Sequence, residues 1–385
     1  MKKIAIPAAV VAAFAASTAH AQSSVTLYGL IDAGLQYTNN VAGKGGASGG
    51  PLFQATSGEI NGSRFGLRGS EDLGGGLKAI FVLENGFSVT NGKLGQDSRL
   101  FGRQAFVGLS SAQYGTVTLG RQYDTLVDFV APLSGTSGTF GDTGFAHPFD
   151  NDNLNHSVRM SNAVKYTSVN YGGFKFGGLY AFSNNTDFSV NRAYSAGASY
   201  SFAGLNIAAG YLQINGSNST ANTSGAIDLA ESQSNGTGGF VLGSDVQRTV
   251  GAGINYAIGP ALVGFVYTHS QFQGTQSFGS QNGRVTFDNY EVNGKYALTP
   301  AISLGVAYTY TDGHVTDSTK FGADPKWNQV NLQAVYSLSK RTDVYAEGMY
   351  QHVSGSNFVA FINNSGGASS TGNQVVATIG MRHRF

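Results

Sequence analysis

The sequence predicts an all-β fold, a closed sixteen-stranded antiparallel transmembrane barrel with long extracellular loops. Three observations predict it. Apolar and polar residues alternate with period two from near the start to the last residue. The segments between these runs are alternately short and long. All seven prolines fall outside the alternating runs, as they must if those runs are ladder strands.

The first 21 residues are set apart. Lys2 and Lys3 give a positive start, Ile4 to Ala16 is a short apolar run, and Ala19-His20-Ala21 is a small-x-small cleavage pattern. That is the layout of an export signal, too short to span a bilayer as a helix. Residues 1–21 are therefore expected to be a cleaved leader and 22–385 one barrel domain. Without the two leader lysines, 21 basic residues stand against 22 acidic ones, so no nucleic-acid footprint is expected. With no cysteine, disulfides and thiolate chemistry are excluded.

The first strand shows the pattern in full. Val25, Leu27, Gly29, Ile31, Ala33, Leu35 and Tyr37 share one face, while Thr26, Tyr28, Leu30, Asp32, Gly34 and Gln36 share the other. Further strands are expected at 63–71, 77–86, 102–110, 115–122, 157–168, 173–182 and 193–202. The second half supplies 205–213, 247–257, 261–272, 288–297, 302–311, 328–337, 343–352 and 373–385. With 25–37 these make sixteen, mostly close to the nine to eleven residues of a tilted membrane-crossing strand. Seven short turns alternate with eight long polar loops, of which 123–156 is the third. Short periplasmic turns and long external loops are the layout of bacterial outer-membrane barrels.

Charged residues are only 12% of the chain, yet the mean hydropathy is −0.09. Low charge with 19 tyrosines and 25 phenylalanines suits a surface divided between lipid and water. A soluble sandwich also alternates, but its outward face is polar. Sets such as Phe174, Phe176, Tyr180, Phe182 and Leu304, Val306, Tyr308, Tyr310 would form apolar belts too large for water. The last strand ends in Phe385, which resembles the C-terminal signal by which such barrels are recognised for insertion.

Several blocks carry a more specific likeness: SVTLYGLIDAGL, SRFGLRGSEDLGGGLKAIFVLENGF, RQAFVGLSSAQYGTVTLGRQYD and the terminal strand. They resemble the general porins of Gram-negative bacteria, in the β-proteobacterial branch. The resemblance implies a homotrimer of sixteen-stranded pores in the outer membrane, each narrowed by an inward-folded third loop. It implies passive diffusion of ions and small hydrophilic solutes. The expected partners are outer-membrane lipid, lipopolysaccharide and the barrel-insertion machinery, with no cofactor.

Strand parity then sorts the charges. Arg64 and Arg68 alternate with Phe65 and Leu67, Glu84 opposes Leu83, and Arg103 opposes Gln104 and Phe106. With Met160, Val164 and Tyr166 turned outward, Arg159 and Lys165 turn inward, as does Asp32. An arginine facing mid-bilayer costs about 2–4 kcal/mol, which favours the lumen for each. Arg64, Arg103 and Arg159 match the wall arginines of the family. On the third loop, Asp124, Asp128, Phe140 and Asp142 are the expected constriction residues, while Leu133–Thr139 carries no acid. Thinned acids opposite an arginine row predict a mild anion preference.

Arg121 shares the outward parity of Val117 and Leu119. By resemblance it is a candidate trimer contact, with Asp97 of the second loop as its partner, or else a snorkelling residue at the rim. No nucleophile, base and orienting group occur at recognisable spacing, so an enzyme is the weaker rival. Asp150-Asn151-Asp152-Asn153 lacks the glycine and closing glutamate of a calcium loop, so no metal is expected. A channel specific for one solute is the remaining alternative, though no aromatic track points to one.

Overall fold

A lipid-facing sheet cannot leave backbone N–H and C=O groups unpaired, so it must close on itself. The computed structural model describes residues 23–43, 49–137, 140–141, 143–228, 240–318, 324–355 and 357–385. The expected leader and Asp142 lie outside them. The strands are β1 Ser24–Val41, β2 Gly50–Ser57, β3 Arg64–Gly74, β4 Leu77–Gly86, β5 Gln104–Ser111, β6 Gly115–Gln122, β7 Met160–Thr167 and β8 Phe174–Ala181. They continue as β9 Arg192–Phe202, β10 Leu205–Asn215, β11 Val246–Ile258, β12 Ala261–Thr275, β13 Gly283–Ala297, β14 Ile302–Val315, β15 Lys326–Ser337, β16 Thr342–Ser354 and β17 Asn373–Arg384. Each pairs antiparallel with its neighbours, and β17 returns to β1 from Leu30↔Arg384 to Thr38↔Val376. At the seam Gly29 and Phe385 exchange both backbone hydrogen bonds, each 3.1 Å long.

The strand absent from the sequence reading is β2, inside the expected first loop. It pairs with the upper half of β1, Ala33↔Ser57 to Val41↔Gly50, while β3 pairs with the lower half, Ser24↔Ser70 to Leu30↔Arg64. The two pieces share one place in the wall, so the barrel still has sixteen strand positions. Pro51 sits where the β1–β2 register shifts, the place in a ladder that tolerates a missing N–H.

Outward positions are apolar and exposed, as at Phe174, Phe176, Leu304, Val306 and Tyr308. Among the described residues no helix is long and apolar enough to cross a membrane. The seven turns are short; between β9 and β10 only Ala203 and Gly204 remain, both at positive φ, which matches the twist of a tight hairpin. The inside holds folded loops. The third loop enters the lumen through a short helix, α1 Thr125–Phe129. Its Phe149 reaches an aromatic cluster inside the mouth with Phe272, Phe287, Phe358 and Trp327, the last in edge contact at 5.9 Å.

One ladder irregularity alters the expected parity. Asn162 has φ +54 and the β6–β7 register slips between Gly120 and Gln122. Met160 therefore turns inward and is fully buried, whereas Val164 and Tyr166 pair on the outer face as expected. One extra residue in a strand shifts everything beyond it to the other face.

Candidate pore constriction

The third loop is seated on a strip of wall that lacks Cβ atoms. Inward-facing Gly177 and Gly197 lie under Phe129, Gly210 and Gly251 under Leu126, and Gly253 under Leu133. A methyl at Gly197 would stand 2.8 Å from Phe129 Cδ2, and one at Gly253 3.1 Å from Leu133 Cδ1. Farther on, Phe140 lies flat over Gly305, where any Cβ would collide with its ring. Close packing of this kind needs glycine on one partner and apolar knobs on the other.

Polar groups then lock the loop to β12 and β13. His147 Nδ1 lies 2.6 Å from Asp152 Oδ2 and its Nε2 3.1 Å from Glu291 Oε2, all three side chains being buried. Glu291 also accepts from the Gly135 amide at 2.8 Å, and Asp152 from Thr268 Oγ1 at 2.6 Å. Burial alone would lower the pKa of His147, but Asp152 and Glu291 outweigh it and hold the ring up to about 10. It is thus an imidazolium clamped between two carboxylates. By contrast, burial raises Asp150 to about 7, with Asp152 adding to the effect.

Across the lumen stands a charged wall. Glu84 accepts from Arg103 Nε at 2.7 Å and from the Tyr28 hydroxyl at 3.0 Å, and Arg64 Nε lies 3.7 Å away. Arg103 also donates to the Tyr123 hydroxyl at 2.9 Å, and the Arg159 guanidinium lies over the Tyr123 ring at 5.8 Å. Lys165 Nζ reaches Asp128 at 2.8 Å and the Tyr123 carbonyl at 3.1 Å. Between wall and loop is a cavity of 390 Å³, lined by Arg64, Glu84 and Arg103 on one side and Asp128, Thr136, Ser137 and Thr143 on the other. Arg64 and Arg103 line this cavity, Arg159 and Lys165 lie behind it on Tyr123, and two carboxylates, Glu84 and Asp128, sit among the four cations. His156 adds no charge: burial first, then the three arginines, push its pKa well down.

Parity brought Arg64, Glu84 and Lys165 together, and Arg68 stacks on Tyr28 at 5.3 Å lower on the same face. β5 runs opposite to expectation, with Gln104 paired to Glu84 on the inner face and Val107 and Leu109 outside, so Arg103 reaches the cluster from just ahead of the strand and not by alternation. Arg103 is only 4% exposed and braced by Glu84, leaving Arg64 the more accessible of the pair. Three expectations need correction. Asp32 points inward but does not line the passage, because residues 58–63 fold over it. Its Oδ2 accepts the Ile60 and Asn61 amides at 3.1 and 3.0 Å, and its Oδ1 the Tyr345 hydroxyl at 2.6 Å. Asp124 is buried as the cap of α1, accepting from Leu126 N at 2.7 Å and Asn153 Nδ2 at 2.7 Å. Phe140 is an anchor packed with Phe145, Met349 and Ile362, not an exposed tip residue.

Arg121 keeps its outward parity opposite Ala105 but is nearly buried. It donates to the Gly102 carbonyl at 2.8 Å and to Ser161 Oγ at 2.9 Å, while Asp97 lies exposed in the turn Gly95–Ser98. Glu59, which the sequence reading passed over, is buried beside Asp32. It accepts from Gln36 and Asn364, each at 2.8 Å, and burial raises it to about 8. Its only sequence signal was an acid beside glycine in a long loop.

The family model described as Gram-negative porin matches residues 8–356. An outer membrane porin protein of Bordetella pertussis is 34% identical over 414 aligned positions, covering both chains fully. Outer membrane porin protein 32 of Delftia acidovorans is 30% identical, again covering both chains fully. Among solved structures, an anion-selective porin from Comamonas acidovorans superposes with a TM-score of 0.74 at 25% identity, over 94% of this chain and 100% of that one.

Proposed function

The chain belongs to the Gram-negative porins, outer-membrane channels and not enzymes, and from that premise we propose that its pore prefers anions mildly. The observation that carries the preference is the cluster of four cations gathered about Tyr123, of which Arg64 and Arg103 line the gap and Arg159 and Lys165 lie behind it, against the two carboxylates Glu84 and Asp128. Cationic rings in a low-dielectric passage lower the barrier for anions and raise it for cations. Because Glu84 and Asp128 neutralise part of the field, the preference is modest. The solved relative is itself described as anion-selective. Reversal potentials across a KCl gradient in planar bilayers test the reading. Anion-side potentials are expected, and cation-side potentials overturn it.

Assembly as a homotrimer follows the same reading. The outward faces of β1, β5, β6 and β17 are mainly aliphatic, with Val25, Leu27, Leu35, Val107, Leu109, Leu119, Ile379 and Met381 exposed. Around β8 to β15 the outer face instead carries Phe174, Phe176, Tyr200, Tyr256, Phe265, Tyr290 and Tyr308, the aromatic girdle expected against lipid headgroups, lipopolysaccharide included. The aliphatic arc suits contact with other copies, with Arg121 and the Asp97 turn at its upper edge. Arg121→Ala is expected to lower the temperature at which trimers dissociate in detergent; unchanged trimers remove Arg121 from the contact. Residues 1–21 would direct export and Phe385 insertion by the barrel machinery.

A further inference from the structure

Beyond the constriction, toward the short turns, lies a second cavity of 480 Å³ that the porin reading does not use. Its charged lining comes from four elements: Lys295 on β13, Lys340 in the turn before β16, Asp343 on β16, and Arg382 and Arg384 on β17. Asp343 is the single carboxylate of this lining. Arg382 grips both its oxygens, Nε to Oδ1 at 3.1 Å and Nη2 to Oδ2 at 3.2 Å, and Arg384 Nη1 adds a third contact at 2.8 Å. Four cations around one anion leave the cavity strongly positive, and Arg384 stays 40% exposed at its side chain.

The cavity is also tied to the narrowing. Arg382 Nη1 donates to Asn61, whose amide donates in turn to the Gly141 carbonyl at the third-loop tip at 2.9 Å. The cluster therefore lies directly behind the third-loop tip, whose Phe140 also lines the cavity.

We propose that this cavity is a binding station for small phosphate monoesters on the exit side of the pore, a proposal that rests on the porin reading. Arg382 and Arg384 converge on the Asp343 carboxylate and exceed its charge by one, and Lys295 and Lys340 line the same cavity, so the surplus favours two negative charges on one compact head group over two spread along a chain. Guanidinium forks match phosphoryl oxygens. Ser303, Ser337 and Gln333 line the same cavity and supply donors and acceptors for a hydroxylated body.

Single channels in planar bilayers test this, with glucose 6-phosphate, glucose or succinate added to each side in turn. The sugar phosphate is expected to interrupt the current at lower concentration from one side than from the other. Succinate should do so at least about tenfold less well, and glucose not at all. Lys295→Gln and Arg384→Gln should each weaken the block about tenfold. A variant that forms no channels is replaced by Lys340→Gln. Equal block from both sides, or block unchanged in the variants, overturns the station. Stronger block by succinate overturns the ligand class. If the wild-type chain forms no conducting steps at all, the porin reading itself fails; steps without block sink only the station.

Discussion

The two sides of the lumen use charge in opposite ways. On the wall of β3 to β7, Arg64 presents charge toward the gap, backed by Arg103 and Lys165, with Glu84 and Asp128 only partly neutralising the cluster. On the wall of β12 and β13, His147, Asp152 and Glu291 are sealed from water and spend their charge holding the third loop in place. The first side sets what passes and the second sets how wide the passage is. The difference is one of burial: an ion pair out of water is strongly interdependent, whereas a half-exposed one is screened.

The largest effect is expected where that interdependence is broken. His147→Leu leaves Asp152 and Glu291 buried without their cation, at a cost of about 3–5 kcal/mol. Thermal unfolding in detergent should move down and single-channel conductance should rise as the loop loosens. Unchanged conductance would show that the glycine strip alone holds the loop. Gly305→Val comes next. The added side chain meets the Phe140 ring, an overpacking cost of about 1–3 kcal/mol, so conductance should again rise while ion preference stays anionic.

Alkali probes the same clamp by titration. The His147 pKa is raised above the unfolded value of 6.5 to about 10, so its contribution is complete below pH 6.5 and is lost as pH climbs through 10. Current noise is expected to be quiet at pH 7 and to grow above about pH 10. Noise that grows instead between pH 6 and 8 would assign the clamp to another group. The smallest effect is expected on the charged side: Arg64→Gln should lower the chloride-to-potassium permeability ratio without changing stability measurably. A lowered unfolding temperature would mean that Arg64 braces the wall as Arg103 does.

Much of the wall was legible in the sequence because period-two alternation is local. The expected strands 77–86 and 115–122 match β4 and β6 to the residue. Parity also placed Arg64, Glu84 and Lys165 on one side of the lumen, though it took β5 inside out, so that Arg103 joins them from ahead of the strand. It failed at Asn162, where a single extra residue turned Met160 inward, and nothing in the alternation marks such a slip. Asp32 and Asp124 were assigned the right direction or loop but not the right burial, because the groups that cover them come from residues 58–63 and from Asn153. The clamp was out of reach for the same reason: His147 and Glu291 are 144 positions apart, and only the folded loop brings them together. Likewise the inward glycines of β8 to β11 look like ordinary strand glycines until the knobs that sit on them are known.

The divided strand position beside β1 has a consequence for how the wall opens. Between the β1–β3 and β1–β2 ladders the backbone leaves the sheet, and the break is stitched by the Asp32 carboxylate, with the Asp32 amide itself donating to Ser63 Oγ at 3.0 Å. A stitch made of side chains and the single backbone bond from Gly58 N to the Asp32 carbonyl at 2.9 Å does not transmit strand separation as a continuous ladder does. The upper piece can therefore peel from the rim as a separate cooperative unit, its amides exchanging with deuterium on their own clock while those of the lower piece wait for the whole barrel.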